Sequence, residues 1–142
     1  MASLHPWLIP LRKAFEHHAD AMNAAPMEAY MKGVAPFFGI KTPLRRALVK
    51  EHIAMHGPAP FDELPQIARS AFACRERELH QVAVDLLMAH ARKLGPEHLP
   101  LPEELITTKS WWDTVDALAV HVVGVILKRY PREVARWNKR WI

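Results

Sequence analysis

The punctuation of this chain by proline and glycine restricts its fold more than any other feature. Twelve prolines and five glycines fall mostly between segments whose apolar residues recur every three or four positions. No segment shows the period-two alternation of a half-buried strand. A chain written this way builds short helices joined by tight connections, so the expected fold class is all-α.

Start and stop signals locate the helices. The first is expected from about Pro6 to Ala19 and the second from about Pro26 to Lys32. Thr42 is placed to cap a third, with Pro43 at the first helical position, where its missing N–H costs nothing. That helix would turn Leu44, Leu48 and Ile53 inward and stop at Gly57-Pro58. A shorter helix spans about Phe61 to Phe72, and a long one about Arg77 to Leu94, with Leu79, Val82, Leu86 and Leu87 at helical spacing. Gly95-Pro96 ends it. Pro102 opens a helix to about Thr107, Ser110 caps one running to Tyr130, and Pro131 opens a last segment to Ile142. Helix pairs recurring about every forty residues have the pattern of an α-solenoid of HEAT-like repeats, an α-α superhelix with a concave surface free for a large ligand.

With 142 residues, half of them apolar, the chain is expected to form one domain over 1–142 with its own core. Cys74 stands alone, which excludes an intramolecular disulfide and suits a reducing, cytoplasmic setting. No apolar run approaches the roughly eighteen residues of a membrane span, and His5, Pro6 and Pro10 occupy the place of a signal peptide's apolar run. The 19 Lys+Arg against 15 Asp+Glu give a net charge of +4, which suits a polyanionic partner without requiring one.

Several chemistries have nothing to rest on. There is no Ser or Cys nucleophile motif, no Gly-rich phosphate loop and no Cys-x-x-Cys pair. His52 and His56 are four apart, but Ile53 stands where a zinc protease carries its Glu and no third ligand is near. No metal is expected.

The helix expected from Ser110 divides by face. Ser110 and Asp113 form a Ser-x-x-Asp arrangement resembling a capping box. Trp111, Val115, Leu118, Val122, Val125 and Ile126 form one apolar stripe and are core candidates. Trp112 and Asp116 lie one turn apart on an adjacent face, an indole and a carboxylate projecting together. Spacing alone leaves two readings of this pair: a binding constellation, or a Trp packed between helices beside an Asp paired with Lys109. Basic residues gather at Lys41, Arg45 and Arg46, and again at Lys128, Arg129, Arg132, Arg136, Lys139 and Arg140. Each group suits phosphate neutralisation or a solvated face.

Four segments together resemble one family: Met27-Glu28-Ala29-Tyr30-Met31-Lys32, the ten residues from Phe37 to Arg46, the nine from Arg77 to Asp85, and Glu104 through Asp116 with its run Lys109-Ser110-Trp111-Trp112-Asp113. The family is that of the alkylpurine DNA glycosylases with HEAT-like repeats, called AlkD-like, and the match covers nearly the whole chain. The resemblance implies DNA repair by hydrolysis of the N-glycosidic bond of cationic N3- and N7-alkylated purines in duplex DNA, without an enclosed base pocket and without metal or organic cofactor. By motif position, Asp116 resembles the carboxylate that stabilises the oxocarbenium-like sugar and helps place the attacking water. Trp112 and Tyr30 resemble aromatic walls, and the basic residues Lys41, Arg45, Arg46 and Lys109 are further DNA-binding candidates. Leu79 and His80 stand where the family usually carries an aromatic residue and a Gln, and His80 is read as a helix-surface residue. The family continues beyond Arg140-Trp141-Ile142, so the resemblance also implies the N-terminal portion of a longer domain, or a chain that self-associates through an exposed C-terminal end. The alternative function is a non-catalytic helical-repeat DNA-binding or scaffold protein.

Overall fold

Helix starts and stops explain most of the computed structural model, which describes residues 3–141, the side chain of Trp141 excepted. Among the described residues all regular structure is helical. By its internal contacts the chain forms two compact units, Met1–Leu86 and Leu87–Ile142. No described helix is long and apolar enough to cross a membrane.

In the first unit a 3₁₀ turn, Pro6–Leu8, leads into helix α1, Ile9–His17. This helix stops short of the expected Ala19 because the Asp20 amide leaves the helical path to donate to the Phe38 carbonyl, at 2.9 Å. Asp20 then caps α2, Ala21–Tyr30, accepting from the amides of Met22 at 2.9 Å and Asn23 at 3.3 Å. A cap of this kind contributes about 1 kcal/mol. The helix therefore begins five residues before the expected Pro26, which lies inside it and forgoes the hydrogen bond to the Met22 carbonyl.

A short extended segment then links α2 to α3, Thr42–His56. Gly39 has φ +96°, and a Cβ there would lie 2.0 Å from the Asp20 carbonyl oxygen, so only glycine fits. Glu78, fully buried, accepts the backbone N–H groups of Phe38 and Gly39, each at 2.9 Å, and of Ile40 at 3.0 Å. The cap position of α3 is Lys41 rather than Thr42, so Thr42 and Pro43 are both inside the helix. Gly57, at φ +84°, ends it as expected, its N–H returning to the Ile53 carbonyl at 2.8 Å.

The inward face of α3 differs from the expected one. Arg45, Leu48 and His52 are buried, whereas Leu44 is exposed and Ile53 half-buried. Arg45 draws the helix round by one residue, because its guanidinium finds partners on α5, Arg77–His90. A turn at Phe61–Glu63 introduces α4, Leu64–Ala73, which buries Leu64, Ile67, Ala68, Ala71 and Phe72. On α5 the expected stripe of Leu79, Val82, Leu86 and Leu87 is buried. His80 is a correction: it is fully buried, not on the helix surface. Its Nε2–H donates to the Cys74 carbonyl at 2.6 Å, Nδ1 lies 3.3 Å from Arg77 Nη1, and the ring stacks on Phe72. Those partners permit its burial.

In the second unit, α6, Pro100–Ile106, begins two residues before the expected Pro102 and buries Leu101, Pro102 and Leu105. The helix expected to reach Tyr130 is α7, Trp112–Leu118, a π turn, Ala119–Val123, and α8, Gly124–Arg129, in unbroken succession. The π turn accommodates one extra residue and so displaces the buried stripe. Thr114, Leu118 and Val122 are buried before and within it, and Val123 and Ile126 from its end onward, leaving Val115 and Val125 half-buried. Helix α9, Glu133–Trp141, follows Pro131; the expected end of that segment at Ile142 lies outside the described residues. Trp137 is buried, and Arg140 at the far end of α9 makes a bidentate pair with Glu103 of α6, at 2.8 and 2.7 Å. That hydrogen bonding and charge raise the Arg140 pKa above its ordinary value.

Candidate functional site

The Thr-Thr-Lys-Ser run ahead of α7 is a device for finishing α6. A helix end leaves carbonyls without partners, and three hydroxyls take them. Thr107 Oγ1 donates to the Glu104 carbonyl at 2.9 Å, Thr108 Oγ1 to the same carbonyl at 2.8 Å, and Ser110 Oγ to that of Ile106. Ser110 therefore closes the preceding helix and does not cap the following one, which corrects the capping-box reading. Trp111 holds the cap position of α7 in an extended conformation with no side-chain cap bond, and its ring is half-buried rather than core. Between Thr108 and Ser110, Lys109 takes a left-handed backbone, φ +51°. For a side chain other than glycine this conformation costs about 1 kcal/mol.

This turn delivers the first residue of α7, Trp112, to solvent, 52% exposed. One turn on, Asp116 is exposed too, and its carboxylate has no hydrogen-bond or ion-pair partner among the described residues. The pairing of Asp116 with Lys109 that spacing allowed is therefore not made. Indole and carboxylate project from one helix face while Thr114 and Leu118 face the core.

The first unit carries the other candidates. Tyr30 ends α2 with 70% of its surface exposed. Lys41 is exposed immediately before α3. Arg46 is exposed, its Nε 3.8 Å from Asp85. Arg45 is the correction among them. It is 5% exposed, and its guanidinium donates to Gln81 at 2.5 Å and to Asp85 at 3.0 Å. A guanidinium committed to two protein acceptors below the surface does not meet a phosphate, and its role is to join α3 to α5. Gln81 and Asp85, four residues apart on α5, were not singled out for this; their spacing on one helix face opposite Arg45 was the available signal.

No cluster of three ligating side chains, around His52 and His56 or elsewhere, occurs among the described residues. Instead His52 packs edge-on against Trp7 at 4.4 Å. Burial, together with the nearby His56, lowers its pKa, although a backbone hydrogen bond at Trp7 works the other way. An open cavity of about 870 Å³ in the first unit is lined by His5, Arg12, Ser70, Cys74 and Glu76 among others, and by none of the candidate residues. There Arg12 donates to Glu76 at 2.9 and 3.2 Å. Burial alone would raise the Glu76 carboxyl, but the Arg12 hydrogen bond and charge prevail and hold it below its usual value.

In the second unit, an exposed indole stands one turn from a carboxylate without a partner among the described residues, with the exposed Lys109 ahead of both. The chain belongs to the DNA alkylation repair enzyme family, whose model matches residues 11–142. It is similar in structure to a protein from Enterococcus faecalis described as a predicted DNA alkylation repair enzyme, with a TM-score of 0.72 and 30% sequence identity, covering 83% of this chain. The chain spans 55% of the length of that protein. No curated protein matches it significantly.

Proposed function

We propose that the protein excises cationic N3- and N7-alkylated purines from duplex DNA by hydrolysing the N-glycosidic bond. The observation that carries this reading is the exposed Asp116, its carboxylate without a partner among the described residues, one turn from the exposed Trp112. An alkylated purine already bears positive charge and leaves without a general acid, while the deoxyribose left behind becomes oxocarbenium-like. A carboxylate about 4 Å from that cation, at an effective dielectric near 20, stabilises it by roughly 4 kcal/mol, about a thousandfold in rate. A carboxylate already paired with a cation would have less to offer.

In this reading Trp112 lies against the deoxyribose and backbone beside Asp116 and Lys109 meets a phosphate, while Tyr30, Lys41 and Arg46 are DNA contacts of the first unit, on a scaffold of HEAT-like repeats. Leaving-group reactivity, rather than a closed pocket of the base-flipping kind, selects the damaged base. Asp116→Asn is the decisive variant. Methylated duplex is incubated with the protein and released 7-methylguanine is measured. Release that survives Asp116→Asn undiminished removes the assigned role, and DNA binding without release by the unmutated protein turns the reading to a non-catalytic DNA-binding protein.

A further inference from the structure

We propose that Glu78, buried and remote from solvent, is a positioning residue for the DNA contact of Lys41. The inference rests on the DNA-binding reading of Lys41 given above. Three consecutive amides, of Phe38, Gly39 and Ile40, converge on one carboxylate, Oε1 taking the first and Oε2 the other two, at 2.9 to 3.0 Å. Consecutive N–H groups that point to one place form an anion-binding nest, and here the anion is the protein's own side chain. Charge-assisted bonds of this kind are short and about twice as strong as neutral ones.

The rest of the segment is fixed by other means. The Arg77 amide donates to the Pro36 carbonyl at 2.9 Å, and the Asp20 amide to that of Phe38, also at 2.9 Å. At Gly39 the backbone of Asp20 leaves no room for a side chain, since a Cβ would lie 2.0 Å from its carbonyl oxygen. Pro36, Phe38, Gly39 and Ile40 are thus tied to α5 or to the start of α2, and the next residue is Lys41, exposed and unhelical at the head of α3. A flexible lysine on a mobile loop would lose much of its rotational freedom on meeting a phosphate. On a backbone already held, less remains to be lost. Sequence distance hides this link, because Glu78 lies thirty-seven positions from Lys41, roughly ten helical turns of chain.

The test separates positioning from mere structure by its readout. Binding of the full chain to an undamaged duplex is measured across a salt series for the unmutated protein, Lys41→Ala, Glu78→Gln and the double variant. Glu78→Gln keeps the shape but faces one amide N–H with another. The loss of one phosphate contact lowers the log–log salt slope by about 0.9 and the affinity at 0.1 M salt about eightfold. Both single variants are expected to show that loss, and the double variant no more than either. Faster hydrogen exchange at the amides of Phe38, Gly39 and Ile40 accompanies it. Where Glu78→Gln does not fold, Glu78→Asp, which draws the charge back by one methylene, supplies the same readouts. A Glu78 variant that binds with an unchanged slope, or whose effect multiplies that of Lys41→Ala, overturns the inference while leaving the DNA reading intact. An unmutated protein with no salt-dependent binding overturns both.

Discussion

The starts of α3 and α7 are two answers to one problem. Each is a helix start preceded by an exposed lysine, Lys41 or Lys109. At α3 the chain is held from within: a buried carboxylate gathers the preceding amides, and Arg45, one turn in, is spent on Gln81 and Asp85. At α7 the chain is held from behind, by hydroxyls that close α6, and the first turn of the helix reaches solvent with Trp112 and Asp116. A charged residue near a helix start is therefore no guide to function until its partners are known. Arg45 has them and Asp116 has none among the described residues.

The comparison breaks first at Asp116. Asp116→Asn is expected to reduce 7-methylguanine release about a thousandfold, corresponding to the loss of roughly 4 kcal/mol of charge stabilisation, while the thermal midpoint stays within a degree or two of the parent because the side chain is exposed. Arg45→Ala should do the reverse. Removing one partner from a buried pair costs about 3 kcal/mol, to be read as a lower urea midpoint at unchanged slope, and the salt dependence of DNA binding should not move. A reduced salt slope with unchanged stability would return Arg45 to the DNA surface.

Smaller effects sharpen the same contrast. Ser110→Ala takes from the Ile106 carbonyl at the end of α6 its hydroxyl donor and should cost about 1 kcal/mol in thermal unfolding, whereas the exposed Arg46→Ala should cost little stability and lower the DNA salt slope by about 0.9. The least effect concerns pH. The folded pKa of His52 is lowered, so the unfolded chain binds that proton first. Its contribution is complete above about pH 6.5, the unfolded value, and is lost as pH falls below that. His52→Gln should flatten the stability profile below about pH 6.5.

Much of this was legible in the sequence, because proline, glycine and apolar spacing act locally. The all-helical class, the stop at Gly57, the buried stripe of α5 and the exposed face shared by Trp112 and Asp116 all follow from neighbours within a turn or two. What was not legible depends on distant partners. Arg45 and His80 read as surface residues until α5 and the Cys74 carbonyl are placed beside them. Asp20 shows the same limit at shorter range. A good cap residue stood before α2, but Pro26 is the louder signal and drew the expected boundary to itself. Ser110 could serve either helix it joins, and only geometry assigns it to α6.

The π turn at Ala119–Val123 has a consequence for how this protein can vary. It absorbs one residue: the sequence register shifts by one across it, while the faces of the helix run on. Deleting a single residue there would restore a regular helix and leave Lys128 and Arg129 close to their present directions relative to Trp112 and Asp116, because the widened turn already takes up the extra residue. Ile126 would stay in the core. Length at this one point can therefore change by one residue without changing which side chains accompany the indole and carboxylate, and a homologue with one residue fewer would present nearly the same surface from a shifted sequence.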